Sequence, residues 1–370
     1  MSMLALLLPL LLAGPQRPPE AFASYAVPTQ QVATAPNDGC VAIVSQAVAI
    51  RIDARARRAE ELAERGNVAA VALGDDAYTL GLRDGRILHF DANGTRTEFV
   101  ARKGHAVLGL QRHGDLLAWW TDDDKANVLN LKTGAQRFDP PLEVAIHQQF
   151  PAIRFAADGC FVCLRQNSNR LEAAAFVAVL DLQGGAEIAR LPCYSSHGDD
   201  FVIAGPRVVH ARRLDTRTWN LLAFDLDTRA SKVLDADLRG GHFVDLLASP
   251  SGRFVVEGDF EEQGLARYGF AGADAARSEF AGDLRAVGCG VLRVGGGAVE
   301  VLFAQARREP GELMAFRFDD RTRVDCALPR AGDASLDRVG TFANGNCLWR
   351  CEWIGAGATR TRRMQFFSLD

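Results

Sequence analysis

Four histidines and a set of loop carboxylates are the residues of this chain that could do chemistry. The histidines are His105, His147, His197 and His242, four of the seven present. The carboxylates are Asp122, Asp123 and Asp124 in TDDDK, Asp199 and Asp200 beside His197, and Glu261 and Glu262 in DFEEQ. Imidazole and carboxylate groups brought to one point can hold a divalent metal or move protons. The spacing speaks against both. No His-x-x-x-His pair occurs, and three consecutive aspartates lack the alternation of a calcium loop. The structural reading is therefore the expected one, and the four histidines stand only as weak metal candidates. Nucleophile and phosphate motifs are missing: there is no Gly-x-Ser-x-Gly elbow and no glycine-rich phosphate or dinucleotide fingerprint. Cys160 and Cys163 form a Cys-x-x-Cys within the apolar run CFVCL. In an extended strand, residues three apart point to opposite faces, so these thiols are expected to pack rather than share a metal. No catalytic residue and no cofactor is assigned.

The elements that must position these residues are strands. The chain has 370 residues, is 48% hydrophobic and 24% charged, and has a formal net charge of -4. This is the composition of an ordinary globular protein, and its slight acidity argues against a nucleic-acid surface. From residue 39 onward, short apolar runs alternate with turns rich in Gly, Asp and Asn. One stretch, Ala54 to Arg65 (ARARRAEELAER), is rich in helix formers and is expected to be a helix.

The runs close in a recurring way, an apolar end followed by a tight polar turn. The series is ILHFDANG at 87–94, VLNLKTG at 128–134, VLDLQGG at 179–185, LAFDLDTR at 222–229, YGFAGADA at 268–275 and MAFRFDDRT at 314–322, with MQFFSLD at 364–370. The interval between successive turns ranges from 41 to 51 residues. A period of about 40–50 residues built of four strands marks radially packed sheets, and residues 39–370 hold about seven such units. Cys40–Val44 and Ala47–Ile52 fit no unit and are expected to close the ring by joining the last sheet. Trp119 and Trp120 would face opposite ways from one strand and fill the spaces on either side of it. Two loop sets should share one face: those between second and third strands, which include TDDDK, and those joining successive units, which include Arg102–His105 and Pro140–Pro151.

These units resemble those of WD-repeat and related seven-bladed β-propellers across residues 39–370. Gly104-His105 and Gly241-His242 open two units as that pattern does, while Phe90-Asp91 and Phe318-Asp319 stand near its Trp-Asp ending. The resemblance implies an all-β, seven-bladed propeller of four-stranded blades as one domain, preceded by an apolar and Pro-rich arm at 1–38. The chain is also similar to bacterial propellers that work with MoxR-type ATPases and von Willebrand A-domain proteins, which implies such a complex as partner.

Met3 to Gly14 is apolar but shorter than the roughly twenty residues that span a bilayer. It reads as a packed arm or as the apolar core of an export signal ending near Ala21-Phe22-Ala23. Cys347 and Cys351, like Cys160 and Cys163, lie in strand-like runs, which favours reduced core cysteines and a cytoplasmic location. The function expected is a non-enzymatic scaffold whose loops bind a partner protein. Asp122, Asp123, Asp124, His147, Asp199, Asp200, Glu261 and Glu262 are the loop residues expected at that contact. The competing expectation is an enzyme or small-ligand binder that uses His and carboxylate groups at the channel mouth.

Overall fold

The computed structural model describes residues 19–27, 32–34, 40–45, 48–53, 56–62, 64–74, 77–144, 153–156, 159–166, 176–193, 201–214, 218–239, 244–259, 265–271, 274–306, 312–329, 335–342, 345–354 and 361–369. Among them every regular element is a strand, and the strands form seven four-stranded sheets and one of three. Sheet 1 holds Val32–Thr34, Cys40–Ser45, Val48–Asp53 and Arg58–Glu61. Sheet 2 holds Val68–Leu73, Tyr78–Leu82, Arg86–Phe90 and Arg96–Val100. Sheet 3 holds Val107–His113, Leu116–Thr121, Lys125–Asn130 and the short Leu142–Glu143. Sheet 4 runs from Ile153 to Pro192, sheet 5 from Phe201 to Arg239, and sheet 6 from Val244 to Glu279. Sheet 7 has three strands, Leu284–Val294, Gly297–Ala306 and Leu313–Arg317. Sheet 8 takes Ser335–Thr341, Cys347–Ile354 and Thr361–Ser368 from the end of the chain and Ala21–Val27 from its beginning.

The sheets pack in sequence, each against the next and the last against the first. Eight separate apolar clusters fill the eight junctions. Trp119 packs with Ala70, Ile87 and Val107 between sheets 2 and 3, and Trp120 with Ile153, Phe155 and Leu180 between sheets 3 and 4. Adjacent tryptophans on one strand thus serve opposite faces, as strand alternation requires. Sheet 8 meets sheet 1 through Ile50, Ile52, Phe342, Cys347, Cys351 and Phe366. Backbone approach makes room for the large rings. Gly109 pairs with Trp120 and Gly340 with Trp349, and a Cβ on either glycine would collide with the indole.

Three expectations are corrected here. The sheets number eight, not seven, because residues 32–61 build one of their own. Cys40–Ser45 and Val48–Asp53 pair with each other rather than with the last sheet. The strand that pairs there is Ala21–Val27, in register from Ala23↔Phe366 to Val27↔Arg362 with a shift between Ala21 and Ala23, so strand pairing begins well before residue 39. The expected helix at 54–65 is also replaced. Arg58–Glu61 is the exposed outer strand of sheet 1, paired with Ile50–Asp53. Its helix propensity is a local preference of a few tenths of a kcal/mol per residue, and ladder bonds to a neighbouring strand outweigh it.

One face of the ring carries tight turns between third and fourth strands, and most are built alike. A side-chain oxygen at the turn's start accepts backbone amides two or three residues on. Asp91 accepts from Asn93, Asn130 from Lys132 and Thr133, Asp181 from Gln183 and Gly184, Asp225 from Thr228, and Asp320 from Thr322. Asp53 accepts from Ala56 in the same fashion. These are the polar turns that gave the repeat its period, and the short acceptor side chain is why Asp and Asn recur there. The opposite face carries the loops between second and third strands and the sheet-to-sheet connections. In sheet 7 the fourth position is taken by an extended segment with a single bridge, Phe316↔Arg323, whose Val324, Cys326 and Leu328 pack into the junction with sheet 8.

Candidate functional site

The loop face is described best where sheet 2 passes into sheet 3. After the outer strand of sheet 2, the connection Arg102–Ala106 crosses the turn Asp122–Asp124 of sheet 3. The Asp122 amide donates to the Ala106 carbonyl at 3.0 Å. Side chains then lock the crossing. His105 Nδ1 lies 3.1 Å from Asp122 Oδ1, Arg102 is ion-paired to Asp123 Oδ2, and the Thr121 hydroxyl donates to Asp123 Oδ1 at 2.7 Å. The two loop sets expected on one face therefore do meet. His105, Asp122 and Asp123 are brought together, with ligand atoms within 4.8 Å of one another. Asp124 sits in the same turn, outside the trio, with φ of 59°. Its backbone carbonyl accepts from the Val144 amide at 2.8 Å. His147, His197, His242, Asp199, Asp200, Glu261 and Glu262 lie outside the described residues.

The trio has the composition of a metal site, but its bonding is that of a brace. Both carboxylate oxygens of Asp123 already have donors, and one donor is a permanent cation, which a divalent ion would have to displace. Burial pushes the Asp123 carboxyl upward, and bonds from Thr121 and Arg102, with the nearby His105, outweigh it and hold it below the ordinary carboxylate value. The same corner of sheet 2 repeats the device with no histidine. Asn67 donates to Asp84 at 3.1 Å, Arg86 pairs with Asp84 at 2.8 Å, and the Arg83 amide donates to the Asn67 carbonyl at 2.9 Å. Gly85 ends that turn at φ 90°, where the Arg102 backbone leaves no space for a Cβ. An amide cannot replace imidazole as a metal ligand of comparable strength, so the recurrence fits turn fixing better than metal binding. Asp123→Ala removes a partly buried acceptor from two donors, with an expected cost of about 1–2 kcal/mol in urea denaturation. Excess Zn²⁺ should leave the melting temperature of the native chain unchanged, whereas a metal site would raise it.

Other ionisable groups are buried in the junctions. Between sheets 5 and 6, the Tyr268 hydroxyl lies 2.8 Å from Asp235 Oδ2 and 3.0 Å from Glu257 Oε2, and Arg277 reaches Asp235 at 3.0 Å. Burial first, then Glu257 and Asp235, push the Tyr268 phenol well above its ordinary value. Asp235 and Arg277 come from outer strands, so this cluster straps two sheets together away from the loops. Between sheets 4 and 5, His210 bonds the Pro192 carbonyl at 2.9 Å. Cys347 and Cys351 lie fully buried in one junction. Strand alternation was a usable signal for these buried groups: His210 shares a face with Val208.

Comparison with solved structures identifies the arrangement. BamB from Moraxella catarrhalis superposes with a TM-score of 0.54 over 94% of this chain and 99% of its own, at 14% identity. The Cps50 (Swd1) β-propeller domain of Myceliophteria thermophila gives 0.52 over 94% of this chain and 100% of its own, at 11% identity. The fold is a β-propeller. A chain in the structure of the mitotic checkpoint complex gives 0.53 over 96% of this chain and 94% of its own, at 11% identity. Identities this low carry architecture alone, so each sheet can be named a blade and nothing more transfers. No family model matches the chain, and no curated protein matches it in sequence. Among the described residues no helix is long and apolar enough to cross a membrane.

Proposed function

We propose that this propeller is a rigid scaffold whose loop face binds a partner protein. The observation that carries the reading is the difference between the two faces. Short side-chain-capped turns close one face, while the other carries the inter-blade connections, with exposed charge at Lys103, Asp122, Asp124 and Glu143. Braces such as His105–Asp122 and Arg102–Asp123 hold the described loops in fixed geometry, which lowers the entropy lost on binding. Similar folds bearing the descriptions of a checkpoint complex and of Swd1 support a role in assemblies in general. An ATPase with a von Willebrand A-domain protein is the partner we favour, in the cytoplasm. We propose further that the N-terminal strand closes the ring, a reading supported by its pairing with Thr361–Ser368.

Charge reversal tests which face recognises. Lys103→Glu, Asp124→Lys and Glu143→Lys alter the loop face, and Asn93→Lys and Thr133→Lys alter the tight-turn face. Affinity capture with cross-linking mass spectrometry should show the loop-face variants losing at least about tenfold of the captured partner, the loss expected for removing a central charged contact. Retention by those variants, with loss in the tight-turn set, would reverse the assignment.

A further inference from the structure

His210 is 1% exposed and lies at the junction of blades 4 and 5. It stands on Arg207–Arg213, opposite Phe201, the first strand residue of blade 5. Its Nδ1 lies 2.9 Å from the Pro192 carbonyl on the outer strand of blade 4. A carbonyl only accepts, so the proton is on Nδ1 and the lone pair is on Nε2. Nε2 is buried and has no hydrogen-bond partner among the described residues. The surrounding cluster is apolar, including Leu191, Phe201, Val208 and Phe224.

The charged groups of the neighbouring strands do not relieve it. On Ala186–Pro192, Glu187 and Arg190 bond each other at 2.9 Å. Phe201–Ala204 carries none, and Asp225 at the far end of Thr218–Asp225 lies 3.8 Å from Arg207. Arg154 of blade 4 lies over the Phe201 ring, and Arg212 on the same strand as His210 adds repulsion to a second positive charge. Beside this strand the Cys193 thiol is buried.

We propose that the junction between blades 4 and 5 is an acid-releasable joint, held shut by neutral His210 and loosened when Nε2 takes up a proton. Protonation would place an N–H donor and a full charge among apolar side chains, which the open junction avoids by exposing the ring to water. Burial holds His210 down to about 4, with Arg212 acting in the same direction and the Pro192 bond opposing. Because this folded value lies below the ordinary 6.5, the stabilisation is complete above about pH 6.5. It falls as pH drops toward about 4 and then levels. Pro192 ends and Phe201 begins its strand at the face assigned to partner binding, so release would act on that face.

Hydrogen exchange tests the proposal directly. After correction for intrinsic rates, protection of amides in Ala186–Pro192 and Arg207–Arg213 should fall about tenfold per pH unit between about 6.5 and 4, roughly 300-fold in all. His210→Asn keeps a donor toward Pro192 and cannot titrate, so the fall should vanish there. A fall of the same size in this variant would assign the response to other groups, His197 and Asp199 among them, and overturn the proposal. Flat protection in the native chain would overturn it equally. Should the variant not fold, NMR titration of the native histidines decides: a His210 midpoint near 6.5 refutes the joint, and a neutral ring down to about pH 4 supports it.

Discussion

A chain lacking residues 1–27 will lose the outer strand of blade 8 and with it much of its stability. The missing strand pairs with Met364, Gln365, Phe366 and Phe367, and its Tyr25 packs edge-on against Phe366 at 6.5 Å. Ala23 and Tyr25 also contribute to the junction with blade 1. A handful of ladder bonds at about 1 kcal/mol net each, with part of a tyrosine's apolar area, gives an expected loss of about 4–6 kcal/mol. The exposed edge of Thr361–Ser368 becomes a template for strand pairing, so the truncated chain should form oligomers. Urea denaturation and light scattering check both parts. If truncation leaves midpoint and mass unchanged, the ring does not depend on this strand for closure.

Glu352→Ala should destabilise the protein by about 3–5 kcal/mol, the usual cost of breaking a buried ion pair from one side. Glu352 is fully buried, and its Oε1 accepts from Arg363 Nε at 2.8 Å. Arg350, 5% exposed, has its Nε 3.4 Å from Glu352 Oε2, yet it donates to Gln365 at 2.8 and 3.1 Å instead. Its relation to Glu352 is therefore one of charge rather than hydrogen bonding. Removing the carboxylate takes away the anion that lies against both Arg350 and Arg363. Replacing Arg350, Glu352 and Arg363 together by apolar residues should restore most of the loss, since no uncompensated charge then remains. Equal destabilisation by the single and triple changes would show that packing, not charge, is at stake.

Much of this architecture could be read from local pattern, and the failures have identifiable causes. Blade 4 is legible because IRF, CFVCL, FVAVLDL and AEIARL alternate between clear turns, and the strands fall where that pattern puts them. Trp119 and Trp120 were assignable to opposite faces from the period of a strand alone. That Arg102–His105 and Asp122–Asp124 share a face follows from counting turns, since every second loop must return to the same face, while their contact is seen only in the fold. Blade 1 was lost because ARARRAEELAER favours a helix locally, whereas its state depends on pairing with Val48–Asp53. The sign that would have recovered it is Asp53, which opens a turn as Asp91 does, followed by Ala56. Missing that unit forced the count to seven and misassigned the closing strand. Within the site, nothing in the sequence indicates that Arg102 reaches Asp123 across a turn. The pair Arg350 and Glu352 was missed although alternation places both on the face of Leu348.

The register of the N-terminal strand also fixes how the molecule bears load. Ala21 pairs with Phe367, so the beginning of the described chain and its end emerge side by side at one corner. Force applied through both ends would not shear the two strands along their length. It would open them from that corner, one pair after another like a zip, toward Val27 and Arg362. Such a pull loads this strand pair first and leaves the junctions between blades untouched. Tethered through one end alone, the ring bears force without loading the pair in this way.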